Sequence, residues 1–204
     1  RNVIKFYYQE KNVTIQYVPV SKDNGKVSIG SENVLVKSGT ANGSTPIPND
    51  GYKFVGWDNL PTNINKTTDI NAVFANVYPV RFYVTEDSST PLYSQWVVEG
   101  EDSYDPITED GWDTPPEIML SEDKKLVFSA WDNLPKNISS ICNVYATYDT
   151  YWTVRFYNEP IDGKGYTDEV DMQWVKNGSN AVNPITRPDK PIDTPKKEST
   201  AQYH

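Results

Sequence analysis

The residue types that carry enzymatic chemistry are scarce in this sequence. The only histidine is His204 and the only cysteine is Cys142. With a single imidazole at the last position, neither a Ser-His-Asp nor a Cys-His arrangement can be built within the chain. A zinc site of the Cys/His type is excluded for the same reason. We therefore expect no enzymatic activity, no catalytic residue and no metal site.

Carboxylates are plentiful, with 28 Asp and Glu residues, and two of them are sufficient for glycoside hydrolysis. They fall in loop-like stretches such as "EGEDSYD" at residues 99–105, and they do not recur between the repeats described below. This pattern is typical of solvated charge. The stretches "SKDNGK" and "EPIDGKG" gather oxygen donors around glycine, but neither has the spacing of a calcium-binding loop. We expect no cofactor.

Aromatic rings are the remaining candidates for a binding site, since the chain has 14 Tyr and 6 Trp. Trp112 and Trp152 have no counterpart elsewhere in the chain and adjoin turn-like sequence. Together with Tyr104 they are our candidate stacking platform for a sugar. The competing interpretation is partial burial at the joints between repeats. Trp96 and Trp174 recur in the string "QWV", which favours a structural role for both.

The charge of the chain limits its partners. The formal net charge is −9 and no basic cluster occurs, so a nucleic-acid backbone or an anionic membrane surface would repel it. No apolar run approaches the roughly 20 residues that span a bilayer. We expect neither nucleic-acid binding nor membrane insertion.

The chain repeats itself. "FVGWDNLPTNI" at residues 54–64 and "FSAWDNLPKNI" at residues 128–138 share eight of eleven residues, 74 positions apart. "VRFY" recurs at the same spacing from Val80 to Val154, and a weaker copy begins at Ile15. "QWVVEGEDSYDPIT" and "QWVKNGSNAVNPIT" match at seven of fourteen positions. Several correspondences in one order indicate a tandem array.

The correspondences divide the chain into repeats. We expect the end of a preceding repeat, two complete repeats, and a third that is incomplete at its C-terminus, at residues 1–9, 10–76, 77–150 and 151–204. Only a few residues separate the closing strand of one repeat from the opening strand of the next, which predicts short links between neighbouring repeats.

Short strands dominate each predicted repeat. In residues 153–158, alternation places Val154 and Phe156 on one side of a strand and Arg155 and Tyr157 on the other. Asn-Gly within residues 22–26 predicts a tight hairpin. One short helix per repeat is expected, near residues 43–51 or 101–110. In the repeated string we expect the rings to fill the core and the aspartates to begin a turn; these signature residues are Phe54, Trp57, Asp58, Phe128, Trp131 and Asp132.

These residues resemble the internalin-B-type repeat, also called the Listeria–Bacteroides repeat. The resemblance is carried by the Val-x-Phe-Tyr strand, by "GYKFVGWDNLPTNI" at residues 51–64, and by the closing "INAVFA" at residues 70–75. The second copy, "LVFSAWDNLPKNI", departs from the family in having Ala130 where glycine is usual and in lacking the preceding Gly-Tyr. The resemblance covers nearly the whole chain.

The resemblance implies a mainly β (α+β) fold of tandem small β-grasp-like domains, each a short mixed sheet with at most one short helix. It also implies an extracellular, non-catalytic spacer or adhesion module, on a Gram-positive cell-surface protein or in a phage virion. Neighbouring repeats of the same chain, and a host-surface glycan or glycoprotein, are the partners expected. The alternative is a carbohydrate- or glycoprotein-binding module that uses exposed aromatic residues.

Overall fold

The computed structural model describes residues 3–7, 9, 11–36, 39–61, 63–158 and 169–194. Within them the fold is mainly β, with eleven strands and one short helix, so the expected fold class is confirmed at this level. The strands are β1 Asn12–Pro19, β2 Gly25–Val27, β3 Ser31–Leu35, β4 Pro46–Pro48, β5 Tyr52–Asp58, β6 Thr68–Tyr83, β7 Tyr93–Val98, β8 Ile118–Ser121, β9 Lys124–Trp131, β10 Cys142–Tyr157 and β11 Glu169–Lys176; helix α1 is Pro106–Glu109.

The chain forms two compact units, each discontinuous in sequence. The first unit comprises residues 1–81, 93–104 and 134–144, and the second comprises residues 82–92, 105–133 and 145–204. The repeat boundaries inferred from the sequence stay a prediction. Residues 1–2 and 195–204, which include parts of the predicted outer repeats, lie outside the described residues.

The first unit is built on a mixed sheet. Strand β1 pairs antiparallel with β3 and parallel with β6, and β5 pairs antiparallel with β6. Alternation along β1 buries Val13, Ile15 and Tyr17, because successive side chains point to opposite faces of a strand. Ile15 and Tyr17 pack with Val34 and Ile70 as the core of this unit.

The second unit places β9 antiparallel to β10, with β8 on β9 and β11 on the C-terminal half of β10. Along β10, Val154 and Phe156 are half-buried whereas Arg155 and Tyr157 are exposed. This is the alternation expected from the sequence. Arg155 is held on the outer face by Asp123 and Glu169, at 2.9 and 2.8 Å.

The two copies of the repeated string form the same strand with the same irregularity. Trp57 lies opposite Ala72, and Trp131 lies opposite Ala146. Each strand has one extra residue at the same position of the string, Val55 in β5 and Ser129 in β9. A repeated bulge of this kind is a specific feature of a fold, so the string specifies local structure.

Three local expectations are tested by the structure. Helix α1 begins within residues 101–110, as expected, but residues 43–51 contain strand β4. The prediction of a tight Asn-Gly hairpin is wrong. Neither Asn24 nor Gly25 has positive φ, and β2 pairs with β4. Gly25 is instead packed against the Phe74 ring, which a Cβ atom would meet at 2.7 Å.

The expected short links between repeats are replaced by uninterrupted strands. Residues 76 and 77 lie inside the 16-residue strand β6, and residues 150 and 151 lie inside the 16-residue strand β10. At the first junction, the Val77 amide donates to Gly51 at 2.9 Å and the Glu99 amide donates to Asn76 at 2.9 Å. The backbone is therefore hydrogen-bonded through the predicted junction.

Candidate functional site

An aromatic cluster in the first unit forms the base of the candidate site. Trp57 packs edge-to-face on Tyr17 and Phe54, with ring centroids 5.5 and 5.4 Å apart, and Phe54 packs on Phe74 at 5.8 Å. Strands β1, β5 and β6 position these rings side by side. The rings surround Trp57 without covering it, and Trp57 is only half-buried.

A cleft of about 250 Å³ opens beside this cluster. Most of its walls are apolar, and Leu60 at its edge is 65 % exposed. The lining residues are Ile15, Tyr17, Ala41, Gly43, Ser44, Trp57, Leu60, Pro61, Ile64 and Ile70. A concave, mainly apolar site with a few polar groups has the character of a ligand pocket.

Glu32 organises one wall of the cleft. Its carboxylate accepts the Tyr17 hydroxyl and the backbone N–H groups of Asn42 and Gly43, the last two at 2.9 and 3.0 Å. The bond from Tyr17, followed by that from Asn42, lowers the pKa of Glu32. Burial, followed by the bond to Glu32, raises the pKa of Tyr17 to about 12. The wall is thus preformed at neutral pH, with Glu32 ionised and Tyr17 neutral.

The second copy of the string has the same rings but no open side at its tryptophan. Trp131 packs on Phe82 at 4.9 Å and on Phe128 at 5.2 Å, and is only 8 % exposed. Its Nε1–H donates to the Asp105 carboxylate at 3.1 Å. Asp105 also accepts the Ile107 amide at 2.9 Å and caps helix α1.

A Pro-Ile segment lies in different elements in the two copies. In the second copy, Pro106 and Ile107 follow Asp105 in helix α1, and Pro106 is buried. In the first copy, the comparable Pro46 and Ile47 lie in β4, where Ile47 is opposite Lys26 of β2. Among the described residues, none accepts the Nε1–H of Trp57. Within the described part of the chain, the first copy therefore has the aromatic cluster without the carboxylate contact that Trp131 makes.

The signature residues of the string are placed as follows. Phe54, Trp57, Phe128 and Trp131 join aromatic clusters. Asp58 ends β5 and is followed by Asn59 at φ 63°, so the chain turns there. Asp132 accepts the amides of Asn133 and Tyr145 at 2.7 and 3.0 Å.

The candidate sugar-binding residues all have exposed rings. Tyr104, Trp112 and Trp152 are 40, 50 and 45 % exposed. Trp152 lies on β10 with the Lys124 ammonium 4.8 Å from its ring centre, so one face is occupied. Trp112 follows helix α1, and its amide donates to Pro106 at 3.3 Å. Their role in binding stays a prediction.

The string "QWV" has a structural residue that sequence reasoning missed. Trp96 is 64 % exposed, so its ring lies outside the core, and its structural role stays a prediction. It is Gln95 that pins the chain, because its amide donates to the Tyr104 carbonyl at 2.8 Å and its oxygen accepts the Tyr104 amide at 3.4 Å. Gln173 makes the same pair of bonds to Val182, at 2.8 and 3.1 Å. The recurrence of Gln in both strings was the available signal.

A second cavity, in the second unit, adjoins a buried ion pair. Arg187 contacts Asp171 at 3.1 Å, and both side chains are nearly inaccessible to solvent. The space of about 260 Å³ is lined by Met172, Gln173, Trp174, Val182, Arg187 and Asp189. Arg187 also donates to the Lys190 carbonyl at 2.6 Å, so its charge is already satisfied by the protein, and the pair has a structural explanation.

The sequence matches no protein-family model, and no curated protein matches it at a significant level. Among the described residues, no group of three or more His, Cys, Asp or Glu side chains is placed to hold a metal ion. In the same part of the chain, no helix is long and apolar enough to cross a membrane.

Proposed function

We propose that the chain is a non-catalytic extracellular repeat segment that serves as a semi-rigid stalk or adhesion module of a surface-exposed protein. In this proposal the repeats are small β-grasp-like domains of the internalin-B type. Their work is to project or present another part of the protein.

The repeated strand register is the observation that carries the proposal. Trp57 and Trp131 occupy the same register position, beside the same one-residue bulge. In the first predicted repeat, the opening strand β1 is parallel to the closing strand β6, a pairing that a β-grasp-like unit requires. Repetition of a whole structural device favours an array of scaffolds, because a single ligand site has no need of a second copy 74 residues away.

The uninterrupted strands β6 and β10 supply the mechanical argument. Each passes through a predicted repeat junction without a Gly- or Ser-rich linker. A flexible linker lets domains reorient freely, whereas a hydrogen-bonded strand resists bending. The junctions therefore support a stiff spacer.

Two settings are compatible with this role: a cell-wall-attached adhesin of a Gram-positive bacterium, or a tail, fibre or decoration protein of a phage virion. A wall-sorting motif in the parent chain would indicate the first setting. Neighbouring genes for structural virion proteins would indicate the second.

Small-angle X-ray scattering tests the stiffness. We expect the scattering of the chain to fit a single stiff particle and not a set of freely jointed domains. A chain that scatters as freely jointed units would refute the stalk.

A carbohydrate-binding module is the second candidate, favoured by the exposed rings of Trp112 and Trp152. A glycan array tests it with the variants Trp112→Ala and Trp152→Ala. Trp96→Ala serves as a control, because the Trp96 ring is also exposed but has a counterpart, Trp174, in the second "QWV" string. Retained glycan binding in the two test variants would refute these two residues as the platform.

A further inference from the structure

The open cleft beside Trp57 has a filled counterpart within the same chain. At Trp131, Asp105 of an Asp-Pro-Ile turn accepts the indole N–H, and Pro106, the next residue of the turn, is buried. Around Trp57, the corresponding indole N–H has no acceptor among the described residues, and the cleft of about 250 Å³ is open. The chain thus contains both the open cleft at Trp57 and, at Trp131, an Asp-Pro-Ile turn of the kind that could bind it.

We propose that the Trp57 cleft is a docking site for a partner polypeptide that presents an exposed Asx-Pro-aliphatic turn. The Asx oxygen accepts the Trp57 Nε1–H, while the proline and the aliphatic residue fill the apolar cleft. This binding site goes beyond the proposed spacer role and does not depend on it.

A second Asx-Pro-Ile turn in the chain narrows the class of ligand. Asn183, Pro184 and Ile185 repeat the arrangement, since the Ile185 amide donates to the Asn183 side-chain oxygen at 3.0 Å, as Ile107 does to Asp105 at 2.9 Å. Either Asp or Asn therefore shapes the turn, and proline follows in both. The invariant chemistry is a side-chain oxygen, a prolyl ring and an aliphatic residue in succession.

The size of the cleft agrees with this ligand. A dry cavity of roughly 150 Å³ holds a six-carbon ring, so about 250 Å³ has room for a prolyl ring and an adjoining aliphatic group. The preformed wall held by Glu32 lowers the ordering cost of binding, because the amides of Asn42 and Gly43 are already bonded to the Glu32 carboxylate.

Net charge favours a separate partner over a second copy of this chain. Two copies each carry a formal charge of −9, and like charges disfavour their close approach. A neutral or basic partner that carries the turn meets no such repulsion.

The test titrates the ¹⁵N-labelled full chain with a blocked peptide of residues 103–108, Ser-Tyr-Asp-Pro-Ile-Thr. We expect saturable shifts of the Trp57 indole N–H and of the amides of residues 42–44. Replacing the peptide isoleucine by serine should abolish the shifts. Trp57→Phe, which keeps the ring and removes the donor, should weaken binding about tenfold.

Two further variants keep the outcome decisive. Ala41→Phe fills the cleft and Leu60→Ser removes an exposed wall, and we expect either change to abolish binding while the fold is kept. Trp131→Phe, the matched control in the closed copy, should bind the peptide like the parent. The proposal would be overturned if the peptide still shifted the signals of Ala41→Phe, or if the Trp57 indole N–H did not respond at millimolar peptide. It would also be overturned if the free chain self-associated and Leu60→Ser abolished that association.

Discussion

Trp57 and Trp131 show how one string of residues is used in two ways. Both rings pack edge-to-face on two aromatic neighbours. Only Trp131 has a carboxylate on its indole nitrogen and is almost completely buried. Comparing the two tryptophans therefore separates the stability that the aromatic string provides from the stability that burial and the Asp105 hydrogen bond add.

Alanine substitutions at the two tryptophans should differ in cost. Trp131→Ala removes a buried ring and a hydrogen bond, and we expect it to lower the free energy of unfolding by about 3–5 kcal/mol. Trp57→Ala should cost roughly half as much, because the cleft already exposes one side of the ring. Urea denaturation measures both. Equal losses would show that the cleft is closed in solution.

Gln95 should be a stabilising residue although it is polar. Gln95→Ala removes two part-buried hydrogen bonds to the Tyr104 backbone, which should cost about 1–3 kcal/mol. Gln16→Ala, on an exposed position of β1, is the matched control and should stay within about 0.5 kcal/mol. Thermal unfolding of both variants checks this, and a neutral Gln95→Ala would remove its proposed role in pinning the chain.

The cleft wall should weaken in acid through Glu32. Because hydrogen bonds lower its folded-state pKa, the carboxylate contributes stability that is fully present above its ordinary pKa of about 4.3 and is lost as the pH falls through the folded-state value. Glu32→Gln should therefore be less stable than the parent by roughly 1–3 kcal/mol at pH 7. The difference should shrink as the pH is lowered below 4. A difference that stays constant with pH would contradict this role.

At the scale of elements, strands were readily predicted and their partners were not. Alternation along β1 and β10 is a property of neighbouring residues, so it was visible in the sequence. The partner of β2 was not visible. The sequence pattern predicted Gly25 as a turn residue. In the structure, the absence of a Cβ atom at Gly25 instead allows the Phe74 ring, from a distant strand, to pack closely against it.

The turn before β5 offers an element-scale prediction. Gly51 has φ +82° with no atom near the position of a Cβ, so Gly51→Ala should cost about 1–2 kcal/mol from backbone strain alone. Gly30 has the same open surroundings without positive φ, and Gly30→Ala should be neutral or slightly stabilising. Thermal melts of the two variants compare them, and equal effects would contradict the assigned backbone strain.

For the whole molecule, the net charge of −9 sets the response to salt. Self-repulsion destabilises a compact acidic chain, and salt screens it. We expect the melting temperature to rise by roughly 2–4 °C between 10 and 150 mM sodium chloride, which corresponds to about 1 kcal/mol for a chain of this length. A fall would mean that the exposed ion pairs of Arg155 and Lys176 outweigh the repulsion.

The sequence by itself determined the repeat period, the β character and the position of each aromatic signature residue, because alternation and recurrence are written in the order of residues. It predicted the string as scaffold, and the shared register of β5 and β9 agrees. Only the tertiary structure decided that one copy is covered and the other open. The Pro-Ile segment lies in helix α1 in one copy and in strand β4, paired with β2, in the other, and such long-range pairing leaves no local pattern in the sequence.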